Sequence, residues 1–255
     1  MPHPCAPRLH FAPIPPGLGT APFPLRGGVY TLRRMIRAVL FDVGECLVDE
    51  SREWEGWAAW LGVPRHTFST QFGAIVAQGR DHRETFRLFR PGFDLAVERE
   101  KRDAVGEREW FGENDLYPDA RMTIRLLRQA GLVVGIAANQ SEETTTILRR
   151  LFTGYVDLIA TSFDMGGIAK PEPRFFELLI ETLRMAPQEI LYVGDRLDED
   201  IRPAAAAGLC TALIRRGPWG IAHQNHPEAA TLPTMRIDGL RELTERIAKY
   251  NDARL

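Results

Sequence analysis

From Ile36 onward, short unbroken apolar runs recur along the chain, and stretches of helical periodicity separate them. The runs are Ile36–Phe41, Leu132–Ala137, Val156–Ala160, Ile190–Val193 and Thr211–Ile214, with a weaker one at Met235–Ile237. Runs this short and this rich in branched residues read as strands covered on both faces. Between them, Pro118 can open a helix whose apolar face is Met122, Ile124, Leu127 and Ala130, with Gly131 closing it. Glu172–Met185 carries Phe175, Phe176, Leu179, Ile180 and Leu183 at helical spacing. Pro203–Ala207 ends at Gly208, and Leu240–Ala248 is a last helix. Strands alternating with helices of this length predict an α/β fold, a parallel sheet with helices on both faces.

Two intervals break the rhythm. Residues 1–34 hold eight prolines and several glycines, which remove backbone donors and raise the entropy lost on ordering, so they predict a disordered tail. Prolines interrupt every apolar stretch there, which argues against a signal peptide, and Met35 stands directly before the first strand as an alternative start. Residues 50–115 lack strand alternation but show helical patterns: Trp54, Trp57, Ala58 and Leu61 recur at spacings of three and four. Gly62 with Pro64, and Pro91 with Gly92, are stop signals. The expected organisation is an α/β core from 35–49 and 116–255, with a helical domain inserted at 50–115. The Trp stripe is read as core packing.

Composition narrows the function classes. The 255 residues carry 32 Lys and Arg against 34 Asp and Glu, a net charge of −2, which speaks against nucleic acid as a partner. Runs such as Leu132–Ala138 are far shorter than the roughly 20 residues a membrane-spanning helix needs. Three cysteines (Cys5, Cys46 and Cys210) without metal-type spacing predict neither a disulfide framework nor a zinc site, so the expected location is cytoplasmic.

In a parallel sheet, functional groups gather at the carboxyl ends of strands. The first strand finishes Phe41-Asp42-Val43-Gly44-Glu45-Cys46-Leu47, and the second finishes Ala138-Asn139-Gln140. Lys170-Pro171 follows the third, and the fourth runs into Gly194-Asp195-Arg196-Leu197-Asp198-Glu199-Asp200. Each is weak alone. Together they offer carboxylates from two strand ends and a lysine, and neighbouring carboxylates need a cation to compensate them. Oxygen ligands of this kind suit Mg²⁺, which also binds substrate phosphate.

In order and placement these four stretches resemble the haloacid dehalogenase superfamily of hydrolases, from Met35 to about Gly220. Phe41-Asp42…Leu47 resembles its nucleophile loop, Lys170-Pro171 its third motif and Gly194-Asp195…Asp200 its acidic fourth motif. The resemblance implies a Rossmann-like core with a helical cap at 50–115, and hydrolysis of a small phosphorylated metabolite through an aspartyl-phosphate on Asp42. It also implies Mg²⁺ held by Asp42, the Gly44 carbonyl, Asp195 and Asp200, with Lys170 orienting Asp42. Ala138, Asn139 and Glu45 would face the substrate, with backbone amides after the first strand and near Asn139 holding phosphoryl oxygens.

The chain departs from that pattern. Gly44 stands where the family's phosphatases carry a second Asp, the general acid, and Ala138 stands where Ser or Thr is usual. Cys46 and Glu45 replace the usual Thr and Gly. Glu45, His66, Asp81 or His82 could replace the acid, or the substrate could have a leaving group that needs no proton. If only the donor is missing, Gly44→Asp would raise turnover of alkyl phosphates more than of aryl phosphates. A carbon–halogen hydrolase and a catalytically impaired binding protein are the alternative functions. Arg80, Arg83, Arg87 and Arg90 are expected on one helix face, and Trp219 either beside the pocket or packed in a turn.

Overall fold

In the computed structural model, residues 10–11, 35–108 and 111–253 are described. Seven strands form one sheet: β1 (His10–Phe11), β2 (Ala38–Phe41), β3 (Val133–Ala138), β4 (Leu158–Thr161), β5 (Ile190–Gly194), β6 (Cys210–Ile214) and β7 (Met235–Ile237). Their spatial order is β1-β4-β3-β2-β5-β6-β7. The six from β2 to β7 run parallel, in agreement with the apolar runs, and β1 pairs antiparallel with β4 at the edge. The rest of the Pro/Gly-rich tail, including Cys5, lies outside the described residues.

Pleating distributes each strand between two cores. Val39 and Phe41 of β2, with Leu191 and Val193 of β5, face one side. There they meet α5 (Ala120–Gln129), α6 (Glu142–Phe152) and α11 (Leu243–Asp252) through residues such as Ile124, Leu148 and Ile247. Ala38, Leu40, Ile190 and Tyr192 face the other side, against Phe175, Phe176 and Leu179 of α7 (Pro173–Leu183) and Ala204 of α8 (Arg202–Ala206). From β2 the chain builds outward through β3 and β4, then crosses to β5. The carboxyl end of β2 is therefore the point where strand order reverses, and a crevice opens there.

Between β2 and β3 lie α1 (Ser51–Leu61), α2 (Arg65–Ala77), α3 (Glu84–Phe89) and α4 (Leu95–Ala104). Gly62 closes α1 in the left-handed conformation (φ 69°), a geometry that favours glycine. The Asp94 carboxylate caps α4 by accepting from the Ala96 and Val97 amides at 2.9 and 3.2 Å. Trp57, Phe68, Phe72, Phe86 and Phe93 form a third apolar cluster, which Trp219 and Ala222 join from α9 (Gly217–His223) after β6. A further short helix, α10 (Pro227–Thr231), precedes β7. The expected arginine face does not form. The helix α3 starts only at Glu84, so Arg80 and Arg83 lie in the preceding turn, where Arg80 pairs with Glu84, while Arg90 binds Glu98.

Trp219 meets His82 edge-on with ring centroids 5.3 Å apart, and Trp54 and Phe72 pack on the same histidine. Burial first, then the Arg196 charge, holds the His82 pKa down to about 4; Arg83 acts in the same sense, while Asp81 and Asp198 oppose it. The imidazole is neutral in the folded protein but titrates near 6.5 when unfolded, so the unfolded state binds more protons between those values. Stability is predicted to fall as pH drops from about 6.5 to about 4. The fall should be shallower in His82→Leu, measured by urea unfolding at a series of pH values.

Candidate active site

Asp42 follows β2, and its backbone N–H donates to the Val193 carbonyl of β5 at 2.9 Å, which ties the strand end down. Asp195 follows β5. One carboxylate oxygen each from Asp42, Asp195 and Asp200 lies within 4.8 Å of the others, and all three residues are buried. Asp200 reaches the group because the chain makes a π-helical turn over Leu197–Ile201 directly after β5. Its Oδ2 accepts the Arg196 amide at 3.0 Å. A Cβ on Gly194 would lie 2.7 Å from the Asp200 Cβ, so only glycine leaves room for this turn to fold back on the strand.

A buried cation pairs with two of the three acids. Lys170 Nζ stands 2.8 Å from Asp42 Oδ1 and 2.6 Å from Asp200 Oδ1, with its side chain 3% exposed. Burial works to lower the Lys170 pKa, but Asp200 and Asp42 lift it well above the usual lysine range. Burial, then Asp200 and Asp42, drives Asp195 well above the ordinary carboxylate range; burial also raises Asp200, against the pull of Lys170. Asp195 Oδ2 is buried and has no hydrogen-bond partner among the described residues. Three carboxylates, one ammonium and an orphaned acidic oxygen fit a hard divalent cation.

The residues expected to face the substrate divide. Asn139 clamps the lysine backbone, its Nδ2 donating to the Lys170 carbonyl at 2.9 Å and its Oδ1 accepting the Lys170 amide at 2.8 Å. Ala138 is fully buried, and its carbonyl accepts the Ser162 amide at 3.0 Å. Glu45 sits in the left-handed region (φ 52°) with its carboxylate accepting the Tyr117 hydroxyl at 2.6 Å. The amides of Glu45, Cys46 and Leu47 donate to the Val48, Val43 and Val43 carbonyls, so they turn into the loop and away from a phosphoryl group. Cys46 is fully buried, and burial followed by Asp42 and Asp195 pushes its thiol well above the usual range.

A cavity of about 500 Å³ lies between α1, α3 and α4 and the strand ends. Val43, Glu50, Asn139 and Gln140 line its floor, and Trp54, Trp57, His82 and Arg102 line its wall. Glu45 and Ala138 are not among its lining, nor are Asp42, Lys170, Asp195 and Asp200; Val43, next to Asp42, and Asn139, which clamps Lys170, are. Of the residues named to replace the missing acid, His66 and Asp81 are exposed and outside the cavity, and His82, with its pKa held down to about 4, is a neutral imidazole at neutral pH. Glu50 does reach it. A Cβ on Gly44 would lie 2.8 Å from Glu50 Cδ and 3.3 Å from Oε2, so the Glu50 carboxyl fills the space a side chain at position 44 would take. Burial, then Glu45 and Asp42, pushes the Glu50 pKa up to about 8. Only the fold-back of the loop, through a bridge of Gly44 to Val48, brings this residue there. Gly44→Asp is therefore blocked by a residue already present.

The haloacid dehalogenase-like hydrolase family matches residues 36–208, and the chain belongs to it. The chain is 34% identical over 134 residues to a glyceraldehyde 3-phosphate phosphatase of Methanopyrus kandleri, a match covering 51% of this chain and 55% of that protein. It is 26% identical over 231 residues to the enzyme of the same name from Pyrococcus furiosus, covering 84% and 95%. The fold of a haloacid dehalogenase-like hydrolase from Bacteroides fragilis superposes with a TM-score of 0.60 at 24% identity, over 82% of this chain and 99% of that one. Among the described residues, no helix is long and apolar enough to cross a membrane.

Any side chain at position 194 collides with the buried Asp200 carboxylate. If the acidic group takes Mg²⁺, Gly194→Ala is predicted to lose most of the thermal stabilisation that the ion brings to the wild type, read by paired melting curves with and without millimolar Mg²⁺. An equal Mg²⁺ shift in both proteins would contradict this.

Proposed function

We propose that the protein is a Mg²⁺-dependent phosphatase of a small phosphorylated metabolite, with Asp42 as nucleophile and Glu50 as proton donor. The observation that carries this reading is the buried group of Asp42, Asp195 and Asp200, two of which pair with Lys170. Both named relatives are phosphatases, which supports the same class. Asp42 and Asp195, with the Gly44 carbonyl, would hold the ion; Asp200 backs them, since Lys170 and the Arg196 amide take its two oxygens. When bound, the ion screens the repulsion between Asp42 and an anionic substrate and stabilises charge in the transition state.

Lys170 fixes Asp42 through Oδ1 and leaves Oδ2 to attack phosphorus. The bond from phosphorus to the leaving oxygen breaks as the Asp42–phosphorus bond forms, and that oxygen takes the proton from Glu50. Water then attacks the aspartyl-phosphate and loses its proton to Glu50, which frees phosphate and restores both carboxyl groups. The helices α1 to α4 act as a cap over the cavity and keep bulk water from the intermediate. Attack on a carbon–halogen bond would not call for this concentration of acids, which supports phosphoryl transfer over dehalogenation. Turnover of an aryl phosphate separates the enzyme from a catalytically impaired binding protein.

Asp42→Asn is expected to lower hydrolysis of p-nitrophenyl phosphate by at least about 10³-fold. Glu50→Gln should lower turnover of alkyl phosphates by about 10²–10⁴, and of p-nitrophenyl phosphate by less than about tenfold, since nitrophenolate leaves without a proton. Gly44→Asp alone should not raise alkyl turnover, whereas Gly44→Asp with Glu50→Gly should recover part of it. Equal losses for both leaving groups in Glu50→Gln would remove Glu50 from the mechanism.

A further inference from the structure

The chain enters α1 and returns from α4 through two adjacent segments. Val48 bridges Leu116, the Asp49 amide donates to the Asp115 carbonyl at 2.7 Å, and the Tyr117 amide to the Leu47 carbonyl at 2.9 Å. Two side-by-side connections form a hinge, so the placement of α1 about it is set by contacts away from its axis. Residues 216–219, at the start of α9, grip both sides of that hinge. On the loop side, Arg216 Nη1 donates to the Cys46 carbonyl at 3.1 Å, Nη2 pairs with Asp119, and the guanidinium carbon stands 4.2 Å from the centre of the Tyr117 ring. Gly217 (φ 59°) packs so closely on Glu45 that a Cβ there would fall 2.3 Å from Glu45 Cγ. On the other side, the buried Trp219 ring meets Phe72 edge-on at 5.3 Å and lies 6.5 Å from Trp54. Trp54 is one turn along α1 from Glu50, and its amide donates to the Glu50 carbonyl at 3.1 Å. Glu50 therefore lies between two fixed points, the loop held by Arg216 and the helix held by Trp219.

We propose that residues 216–219 are a strap that holds the Glu50 carboxyl over Gly44, with Arg216 and Trp219 as positioning residues for proton transfer. This deepens the phosphatase reading and rests on Glu50 as its proton donor. Trp219 does not line the cavity, whereas Trp54 and Glu50 do, so the indole acts through them and not on a substrate. Its other face borders the acidic group: the Arg196 guanidinium carbon stands 4.5 Å from the Trp219 ring centre, and Arg196 precedes the turn that carries Asp200. The two routes leave different traces. A displaced Glu50 slows only substrates whose leaving oxygen needs a proton. A disturbed acidic group slows every phosphate ester alike.

The test uses the full-length protein with Mg²⁺ and two substrates, p-nitrophenyl phosphate and glycerol 2-phosphate. In Trp219→Leu, turnover of glycerol 2-phosphate is expected to fall at least about tenfold further than that of p-nitrophenyl phosphate. Trp219→Phe, which returns a ring to the cluster, should recover most of that difference. In a Glu50→Gln background, Trp219→Leu should change the ratio of the two rates by less than about twofold, because the group being positioned is gone. Should Trp219→Leu fail to melt cooperatively, Arg216→Lys keeps a charge beside Asp119 but cannot also bridge to Cys46, and it should shift the ratio in the same direction. Equal losses for both substrates in these variants, or no loss, would overturn the strap even where Glu50→Gln by itself separates the two rates. If Glu50→Gln does not separate them, the proton-donor reading falls first and the strap falls with it.

Discussion

The contact on which the site depends is the double ion pair of Lys170 with Asp42 and Asp200. Three acids from two strand ends converge, and among the described residues the Lys170 ammonium is the cation paired with two of them. Removing one partner of a buried ion pair generally costs about 3–5 kcal/mol, because the other charge is left uncompensated. Much of the neighbouring structure serves to hold this lysine. Asn139 grips its backbone from both sides, and the Arg196 amide fixes the far oxygen of Asp200.

That arrangement leaves the group electrostatically incomplete in a defined way. Asp42 and Asp200 share the ammonium, while Asp195 Oδ2 has no donor. A divalent cation would supply the missing charge at the same point where an anionic substrate must approach. The helices α1 to α4 line the cavity, and Trp219 joins the α/β core to their aromatic cluster. Packing of these helices and the lining of the cavity therefore share residues: Trp54, Trp57 and His82 belong to both the aromatic contacts and the cavity wall.

The strand ends were legible in the sequence because parallel strands bury both faces and announce themselves as unbroken apolar runs. Once those runs were aligned, Asp42, Lys170, Asp195 and Asp200 fell at their carboxyl ends. Glu50 was not legible. It lies six residues beyond Gly44, and only the bridge of Gly44 to Val48 folds it over the glycine. Asn139 was read as a phosphate neighbour, but its amide holds a residue 31 positions away, a pairing that no local pattern contains. The arginines at 80, 83, 87 and 90 had helical spacing without a helix, since a turn at Asp81–Arg83 intervenes.

The most direct measurement is a crystal structure of the protein grown with Mg²⁺ and beryllium fluoride, which mimics a phosphoryl group on a carboxylate. The account predicts fluoroberyllate bonded to Asp42 at the oxygen turned away from Lys170, beside an ion shared by Asp42 and Asp195. An unmodified Asp42, or an ion bound away from these two residues, would contradict it.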